Sequence, residues 1–234
     1  MSCTQLLCSS IIVGALLATL PLTNASALSL FTNPSFENPV LTAGTALNFN
    51  NGTTIGAGWT VVGPSVLVIQ TTFSESNPAI TVFNAGDGLN SVDLTGSGNQ
   101  GPTAGVTQTV NLIVGHKYTL DFLIGRGDPG PAYGTPSTVN VSINGTAPGA
   151  FTNSNSTPNA INWKNVAYSF TATQISNSFT FLNGTSDNNF VGLDLVNLND
   201  TTPASVPEPG AMALLAGAMA PACMFAMKSR KRHK

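Results

Sequence analysis

The central part of this 234-residue chain, residues 28–205, contains no cysteine. All three cysteines, Cys3, Cys8 and Cys223, lie towards the ends of the chain. The central part therefore cannot form a disulfide bond, offers no thiol nucleophile and cannot bind a metal ion through thiolates. Its stability must come from the burial of a core, with or without a bound ion.

Basic side chains are also scarce in residues 28–205. This part of the chain has three basic and nine acidic residues, which gives it a formal charge of −6. Proteins that bind nucleic acid or anionic lipid use clustered lysine and arginine, so this balance argues against both classes of partner. Sugars and divalent cations fit an acidic surface better. The basic residues are Lys117, Arg126 and Lys164, and the acidic ones are Glu37, Glu75, Asp87, Asp93, Asp121, Asp128, Asp187, Asp194 and Asp200.

Residues 28–205 also lack the sequence motifs of the common enzyme classes. GxSxG, HExxH, P-loop and dinucleotide-binding motifs are absent. The one histidine, His116, lies in a Gly-His-Lys turn, while Asp87, Asp128 and Asp187 fall in turns where an aspartate bonds nearby backbone N–H groups. We predict a protein that is not an enzyme. The alternative is a secreted carbohydrate-active hydrolase whose carboxylates the sequence does not reveal.

The N-terminus has the pattern of a secretory signal peptide, which we assign to residues 1–27. An apolar run from Ile11 to Leu22 is followed by an Ala25-Ser26-Ala27 sequence of the A-x-A type, and we place cleavage after Ala27. The leader before the run has no lysine or arginine, unlike most signal peptides. The alternative is a buried N-terminal helix of the folded domain.

The C-terminus combines a Pro-rich linker (residues 201–210), an apolar segment (211–227) and a basic tail (228–234) that holds five of the eight Lys and Arg residues. An apolar helix followed by basic residues stops translocation and leaves the tail in the cytoplasm. The linker contains Val206, Pro207, Glu208 and Pro209.

This arrangement resembles the PEP-CTERM sorting signal. The resemblance implies recognition by an exosortase-type processing enzyme, a transient membrane-spanning helix at residues 211–227, and a final place at the cell surface, in the outer membrane or in the extracellular matrix of a Gram-negative-type bacterium.

Between these signals, residues 28–200 have the pattern of one all-β domain. Large apolar residues alternate with polar ones in Tyr118–Ile124, Val139–Ile143, Val166–Phe170 and Phe179–Phe181, as in half-buried strands. Further strands are predicted at Val61–Gln70, Ser91–Leu94, Val106–Leu112 and Val191–Leu198. Turn sequences separate them, including Asn144-Gly145, Asn183-Gly184 and residues 125–131. Eight or nine short strands predict a two-sheet sandwich of the jelly-roll type.

Seven short motifs occur in an order that resembles galactose-binding-like jelly-roll domains, in particular the choice-of-anchor C type. They are Asn33–Glu37, Gly58–Val61, Gly86–Gly96, Val106–Val110, Gly115–Phe122, Trp163 and Gly192–Val196. The resemblance implies an exported domain without catalytic activity that binds or organises an extracellular glycan.

The same resemblance implies a structural Ca²⁺ held by Glu37 and Asp194, because carbohydrate-binding jelly rolls use an N-terminal glutamate and a C-terminal aspartate in this way. The alternative is that each carboxylate accepts hydrogen bonds from backbone amides. In the last strand, Val191, Leu193 and Leu195 are predicted on one face, with Asp194, Val196 and Leu198 on the other. A strand that is apolar on both faces is predicted to be central.

A sugar site needs an exposed aromatic ring with polar groups beside it. The candidates are Trp59 and Trp163, which each open a predicted strand, and Tyr133, which lies in a Pro/Gly-rich loop. For both tryptophans the alternative is a role in capping the core.

Overall fold

A computed structural model describes residues 29–76, 80–98, 101–128, 135–186 and 190–203. These residues form fourteen β-strands and no helix. The strands are β1 (Ala46–Asn50), β2 (Thr54–Ile55), β3 (Trp59–Val62), β4 (Ser65–Gln70), β5 (Ser74–Ser76), β6 (Ile80–Val82), β7 (Asn90–Asp93), β8 (Gly105–Asn111), β9 (Lys117–Arg126), β10 (Ser137–Ile143), β11 (Thr146–Asn153), β12 (Asn162–Thr171), β13 (Ser176–Asn183) and β14 (Gly192–Asp200).

Twelve of the strands form two antiparallel six-stranded sheets, which confirms the predicted all-β, two-sheet sandwich. Sheet A has the order β1-β4-β7-β14-β9-β12, and sheet B has the order β11-β10-β13-β8-β3-β2. Strands β5 and β6 form a separate hairpin. The last strand, β14, lies in the middle of sheet A between β7 and β9, as its apolar composition predicts.

The main core lies between the two sheets, where the inward side chains of each strand meet. Aromatic rings fill its centre, and the Trp59 ring contacts Phe31, Phe36 and Phe181 at centroid distances of 5.1, 5.3 and 5.8 Å. Such pairs add to the free energy that area burial contributes. The alternation of large apolar residues in β9, β10, β12 and β13 therefore reports the inward face of each strand, as predicted.

A second, smaller core covers the outer face of sheet A. Ile69, Phe83, Ile161 and Phe190 are buried there, and Phe73 and Trp163 pack against them. The residues that flank the hairpin β5–β6 and the segments before β12 and β14 supply most of these side chains, so both faces of sheet A are covered around β4. This explains the presence of fully buried polar groups on the outer side of β7 and β14.

The predicted strand Val61–Gln70 is wrong, because this segment forms parts of two strands in different sheets. Strand β3 belongs to sheet B and β4 belongs to sheet A. Between them, Gly63 adopts a φ of +74° and Pro64 follows. A Cβ at position 63 would lie 2.0 Å from the carbonyl oxygen of Thr103, so only glycine fits this crossing point. The sequence 125–131 was also predicted as a turn, but Gly125 and Arg126 belong to β9.

The predicted face of Leu195 is wrong as well. Leu195 has a φ of +45°, and the pairing of β14 with β9 shifts between Asp194 and Asn197. This bulge adds one residue to β14. As a result Leu193, Val196 and Leu198 all join the main core, while Asp194 lies on the opposite side from Val196.

The two sheets differ sharply in charge. The strands of sheet B contain no Asp, Glu, Lys, Arg or His, whereas sheet A contains Asp93, Lys117, Asp121, Arg126, Lys164, Asp194 and Asp200. The outer face of sheet B instead carries hydroxyl groups that bond one another, such as Thr107 with Thr180 at 3.0 Å and Thr138 with Thr152 at 2.9 Å.

The predicted signal peptide (1–27), sorting helix (211–227) and basic tail (228–234) lie outside the described residues, as does most of the linker 201–210. The part of the chain that the structure describes contains no helix that could cross a bilayer.

Candidate functional site

The two carboxylates predicted to bind a metal ion, Glu37 and Asp194, both contact the loop of residues 86–90 that leads into β7. Oε1 of Glu37 accepts hydrogen bonds from the backbone N–H groups of Leu89 and Asn90, each at 2.9 Å. Oδ2 of Asp194 accepts from the N–H groups of Gly86 and Asp87, also at 2.9 Å. The loop is thus held at one end by the N-terminal segment and at the other by the last strand.

Asp194 is completely buried, and its second oxygen is also occupied. Oδ1 accepts a hydrogen bond from the N–H of Leu195 at 2.7 Å, a contact that the bulge in β14 makes possible. Burial raises the pKa of Asp194 to about 8, although the hydrogen bonds from Asp87, Leu195 and Gly86 act in the opposite direction. A carboxylate in this position needs the amides around it, because burial without partners would be costly.

A second buried carboxylate, Asp93, lies on the neighbouring strand and was not predicted. Its Oδ1 accepts hydrogen bonds from the N–H groups of Thr95 and Val191, and the Thr95 hydroxyl lies within 2.9 Å of both carboxylate oxygens. Burial raises the pKa of Asp93 to about 7. In sequence, Asp93 alternates with apolar residues like a solvated strand position, and only the second core explains its burial.

The oxygen atoms around Glu37 have the chemistry that a calcium ion requires. Besides the carboxylate, Oδ1 of Asn90 is buried and has no hydrogen-bond partner among the described residues, while Nδ2 of Asn90 donates to the carbonyl oxygens of Phe36 and Pro39. Carboxylate, amide and carbonyl oxygens are the usual ligands of Ca²⁺. Within the described residues, no group of three or more His, Cys, Asp or Glu side chains converges. Calcium binding therefore stays a prediction.

Trp59 does not offer a ring face for sugar stacking. The side chain is completely buried in the main core, and its Nε1 donates to the carbonyl oxygen of Asn33 at 2.9 Å. The prediction of Trp59 as a ligand-binding residue is therefore wrong, and the alternative, a role in the core, is the one that the structure shows.

Trp163 is half-buried at the edge of sheet A. Its ring lies against Gly86 and Gly125, where an added Cβ would come within 3.0 and 2.8 Å of ring atoms, and Nε1 donates to the carbonyl oxygen of Asn84. Trp163 therefore packs on the loop that Asp194 holds. The third candidate, Tyr133, lies outside the described residues.

A groove opens where the edge strand β12 of sheet A faces the hairpin β10–β11 of sheet B. We call it the lateral groove. It has a volume of about 410 Å³, and its walls are formed by Ile143, Asn144, Thr146, Ala147, Pro148, Tyr168, Phe170, Thr171, Thr173, Gln174 and Asn177. None of these lining side chains is charged. The groove therefore favours a neutral ligand, since a charged group would lose its hydration without gaining a partner.

Stacked aromatic rings form one wall of the lateral groove. Tyr168 and Phe170 lie two positions apart on β12, with ring centroids 6.3 Å apart and ring planes within 17° of each other. Phe170 also stacks on Tyr118 at 5.9 Å, which fixes its ring against the core. The Tyr168 hydroxyl forms no hydrogen bond with the described residues. The wall thus combines flat apolar surface with a free hydroxyl group.

Amide side chains lie at the end of the groove and are held in place by one another. Nδ2 of Asn144 donates to Oδ1 of Asn177 at 2.9 Å, and Nδ2 of Asn177 donates to the carbonyl oxygen of Gln174 at 2.8 Å. The side chain of Gln174 is exposed beside them. Aromatic rings beside fixed amides are the elements that a sugar site requires.

His116 lies in the turn before β9, as predicted, and its Nδ1 is 2.7 Å from Oδ2 of Asp200. The hydrogen bond with His116 lowers the pKa of Asp200 to about 2. Of the predicted turn formers, Asp87 accepts a hydrogen bond from the Ser35 hydroxyl and Asp128 accepts one from the N–H of Asn159, so each joins two segments that are distant in sequence. Asp187 lies outside the described residues.

The family of this chain follows from its sequence. A family model described as "Protein of unknown function (DUF642)" matches residues 29–193, most of the chain. The chain belongs to the DUF642 family. Its matched residues comprise both sheets apart from residues 194–200 of β14, with Glu37, the loop 86–90 and the lateral groove. No curated protein matches this DUF642 chain in sequence.

Three solved structures are similar to parts of the DUF642 chain. A cyclase from Fischerella sp. TAU, crystallised with 4-(1H-indol-3-yl)butan-2-one, has a TM-score of 0.52 and 20% identity, covering 76% of this chain and 100% of the cyclase chain. The CBM22-1 xylan-binding domain of Paenibacillus barcinonensis Xyn10C has a TM-score of 0.42 and 17% identity over 70% of this chain and 99% of its own. TmCBM61, solved with β-1,4-galactotriose, has a TM-score of 0.42 and 13% identity over 74% and 99%. At these identities the likeness concerns the fold alone.

Sequence reasoning missed Tyr168 and Phe170 as candidate ligand contacts. Their alternation with Ala167 and Ser169 marks them as inward-facing, and they do face sheet B. What the sequence does not show is that β12 is an edge strand, so that inward-facing residues near its end remain partly exposed. An edge position is a property of the sheet order, which a strand pattern does not encode.

Proposed function

We propose that this DUF642 protein is an exported binding protein without catalytic activity, and that its lateral groove binds a neutral glycan. The observation that supports this most directly is the stacked pair Tyr168 and Phe170 beside the exposed amide of Asn144, which the buried Asn177 holds in place. Sugars present apolar C–H faces that pack on aromatic rings and hydroxyl groups that bond to amides.

The charge of the molecule supports a neutral ligand over an acidic one. The groove has no charged side chain, and residues 28–205 carry a formal charge of −6. A polysaccharide of uronic acids would be repelled by this charge and would find no cation in the groove. Neutral hexose or pentose polymers are therefore the ligand class that we propose.

A glycan array on the purified protein tests this proposal. We expect binding to one or more neutral oligosaccharides. Tyr168→Ala is expected to weaken it by about tenfold or more, because the loss of one stacking ring costs roughly 1–3 kcal/mol. Phe73→Ala is the matched control, since Phe73 is a partly buried aromatic of the second core, away from the groove. Equal binding by both variants, with melting temperatures showing both folded, would refute the role of the groove.

The alternative function is a secreted carbohydrate-active hydrolase. A reducing-sugar release assay on every glycan that binds separates the two functions. We expect no turnover. Release of sugar that is lost when a carboxylate such as Asp93 or Asp194 is replaced by the amide would favour the hydrolase.

Export and processing are part of the same proposal. The signal peptide 1–27, the Val206–Pro209 motif and the basic tail 228–234 support secretion followed by exosortase-type cleavage near Pro207. Before cleavage, residues 211–227 would hold the protein in the membrane. Mass spectrometry of surface-extracted protein is expected to find a chain from Leu28 to the vicinity of Pro207, and recovery of the basic tail would contradict the proposal.

We also propose a structural Ca²⁺ near Glu37. Asn90 Oδ1 and the carboxylate of Glu37 supply suitable oxygens, and Asp194 holds the other end of the same loop. The ion would stabilise this end of the sandwich, which has no disulfide.

A further inference from the structure

Three large aliphatic side chains protrude together from one end of the sandwich. Ile113 and Val114 lie in the β8–β9 turn, and Ile175 lies in the β12–β13 turn, with 58%, 53% and 64% of their surfaces exposed. The two turns are joined directly, because the N–H of Leu112 donates to the carbonyl oxygen of Ile175 at 2.7 Å. We call Ile113, Val114 and Ile175 the apolar tip.

The chain leaves the sandwich beside the apolar tip. The N–H of Thr201 donates to the carbonyl oxygen of Lys117 at 2.8 Å. The N–H of Lys117 in turn donates to the Thr202 hydroxyl, also at 2.8 Å. The described chain therefore ends next to the turn that carries Ile113 and Val114. Seven residues, 204–210, separate position 203 from the apolar segment that starts at 211, and the eight steps between these positions span at most about 29 Å when fully extended.

The end of the sandwich that carries the apolar tip is less acidic than the opposite end. Glu37, Asp87 and Asp128 lie near the start of β14 or the end of β9, about 20 Å from the end of β14 by the rise of six strand residues. The acid near the tip, Asp200, is paired with His116, and Lys117 is exposed beside it. A negatively charged bilayer would repel the opposite end and not this one.

We propose that the apolar tip enters the headgroup region of the bilayer that residues 211–227 cross. This inference rests on the proposed C-terminal anchoring. Burial of exposed aliphatic side chains at the interface is favourable, and a tether of seven residues keeps the tip close to the membrane. The tip holds the anchored protein in one orientation, with its C-terminal end towards the lipid.

The experiment uses the full chain with Cys3, Cys8 and Cys223 replaced by serine. Val114→Cys carries an environment-sensitive fluorophore, and Leu89→Cys is the matched control, because Leu89 is 55% exposed and lies in the loop held by Asp194. Both proteins are reconstituted into phosphatidylethanolamine/phosphatidylglycerol vesicles that contain lipids with a quencher in the acyl chain.

We expect about threefold stronger quenching at position 114 than at position 89, and a loss of this difference when Ile113 and Ile175 are changed to serine in the labelled chain. Equal quenching at positions 114 and 89 would overturn the proposal. Carbonate extraction of the same vesicles reports separately whether residues 211–227 anchor the chain. Failure of anchoring and failure of tip insertion are therefore distinguishable, since the fluorophore is read in either case.

Discussion

At the scale of single residues, Gly88 determines how Glu37 reaches the loop 86–90. Gly88 has a φ of +62°, and a Cβ at this position would lie 2.5 Å from Oε1 of Glu37. A side chain here would push the carboxylate away from the N–H groups of Leu89 and Asn90. The absence of a side chain at position 88 is thus part of the contact between the N-terminal segment and the loop.

Gly88→Ala is expected to destabilise the domain by about 2–4 kcal/mol. A left-handed conformation costs a non-glycine residue about 1–2 kcal/mol, and the displaced carboxylate loses charge-assisted hydrogen bonds. Gly44→Ala is the control, since Gly44 has a φ of +74° and nothing within 4 Å of its added Cβ. Urea unfolding of both variants measures the difference. Equal losses would mean that Glu37 adjusts without cost.

At the scale of strands, β7 and β14 carry one buried carboxylate each on the covered face of sheet A. Burial raises the pKa of Asp93 to about 7 and that of Asp194 to about 8, from the ordinary value of 3.8. The folded protein therefore retains protons on these groups at pH values where the unfolded chain has released them. The stability that this protonation contributes is complete below about pH 4 and is lost as the pH rises through the folded-state pKa values.

The free energy of unfolding is therefore expected to fall between about pH 4 and pH 8, with a slope of up to about 1.4 kcal/mol per pH unit for each group. Asp93→Asn should remove the contribution of Asp93 to this pH dependence. The amide oxygen of asparagine can still accept hydrogen bonds from Thr95 and Val191, but it does not titrate. Denaturant unfolding at several pH values measures the slope. Asp128→Asn, a half-buried carboxylate outside this pair, is the control, and an unchanged slope in Asp93→Asn would contradict the assignment.

The strand pattern predicted the inward faces of β9, β10, β12 and β13 because alternation follows directly from strand geometry. It failed where the backbone changes direction within an apolar run, at Gly63-Pro64 and at the bulge of Leu195. The contacts of Glu37 and Asp194 with backbone amides were among the alternatives, but no sequence pattern shows that both reach one loop. The burial of Asp93 depends on the second core that covers its strand, and the lateral groove depends on the edge position of β12. Neither can be read from the pattern of a single strand.

At the scale of the whole molecule, Glu37 and Asp194 connect the first described segment with the last strand through one loop. A calcium ion that binds only the folded state would add RT ln(1 + [L]/Kd), about 2.7 kcal/mol at a hundredfold excess over Kd. For a domain of this size we expect a rise in Tm of about 5–10 °C in millimolar Ca²⁺, measured on metal-stripped residues 28–205 against chelator. Glu37→Gln should abolish the difference, because Glu37 supplies the carboxylate of the proposed site, and equal Tm values in wild-type protein would refute the site.

The position of β14 limits the order in which this molecule can fold as it is synthesised. The last strand to emerge joins β7 to β9, and it also supplies Asp194 for the loop 86–90. Before β14 has been synthesised, the strands of sheet A can form only two separate parts, β1-β4-β7 and β9-β12, each with an exposed edge. We therefore expect the closure of sheet A to be a late step in folding, because it must wait for the last strand.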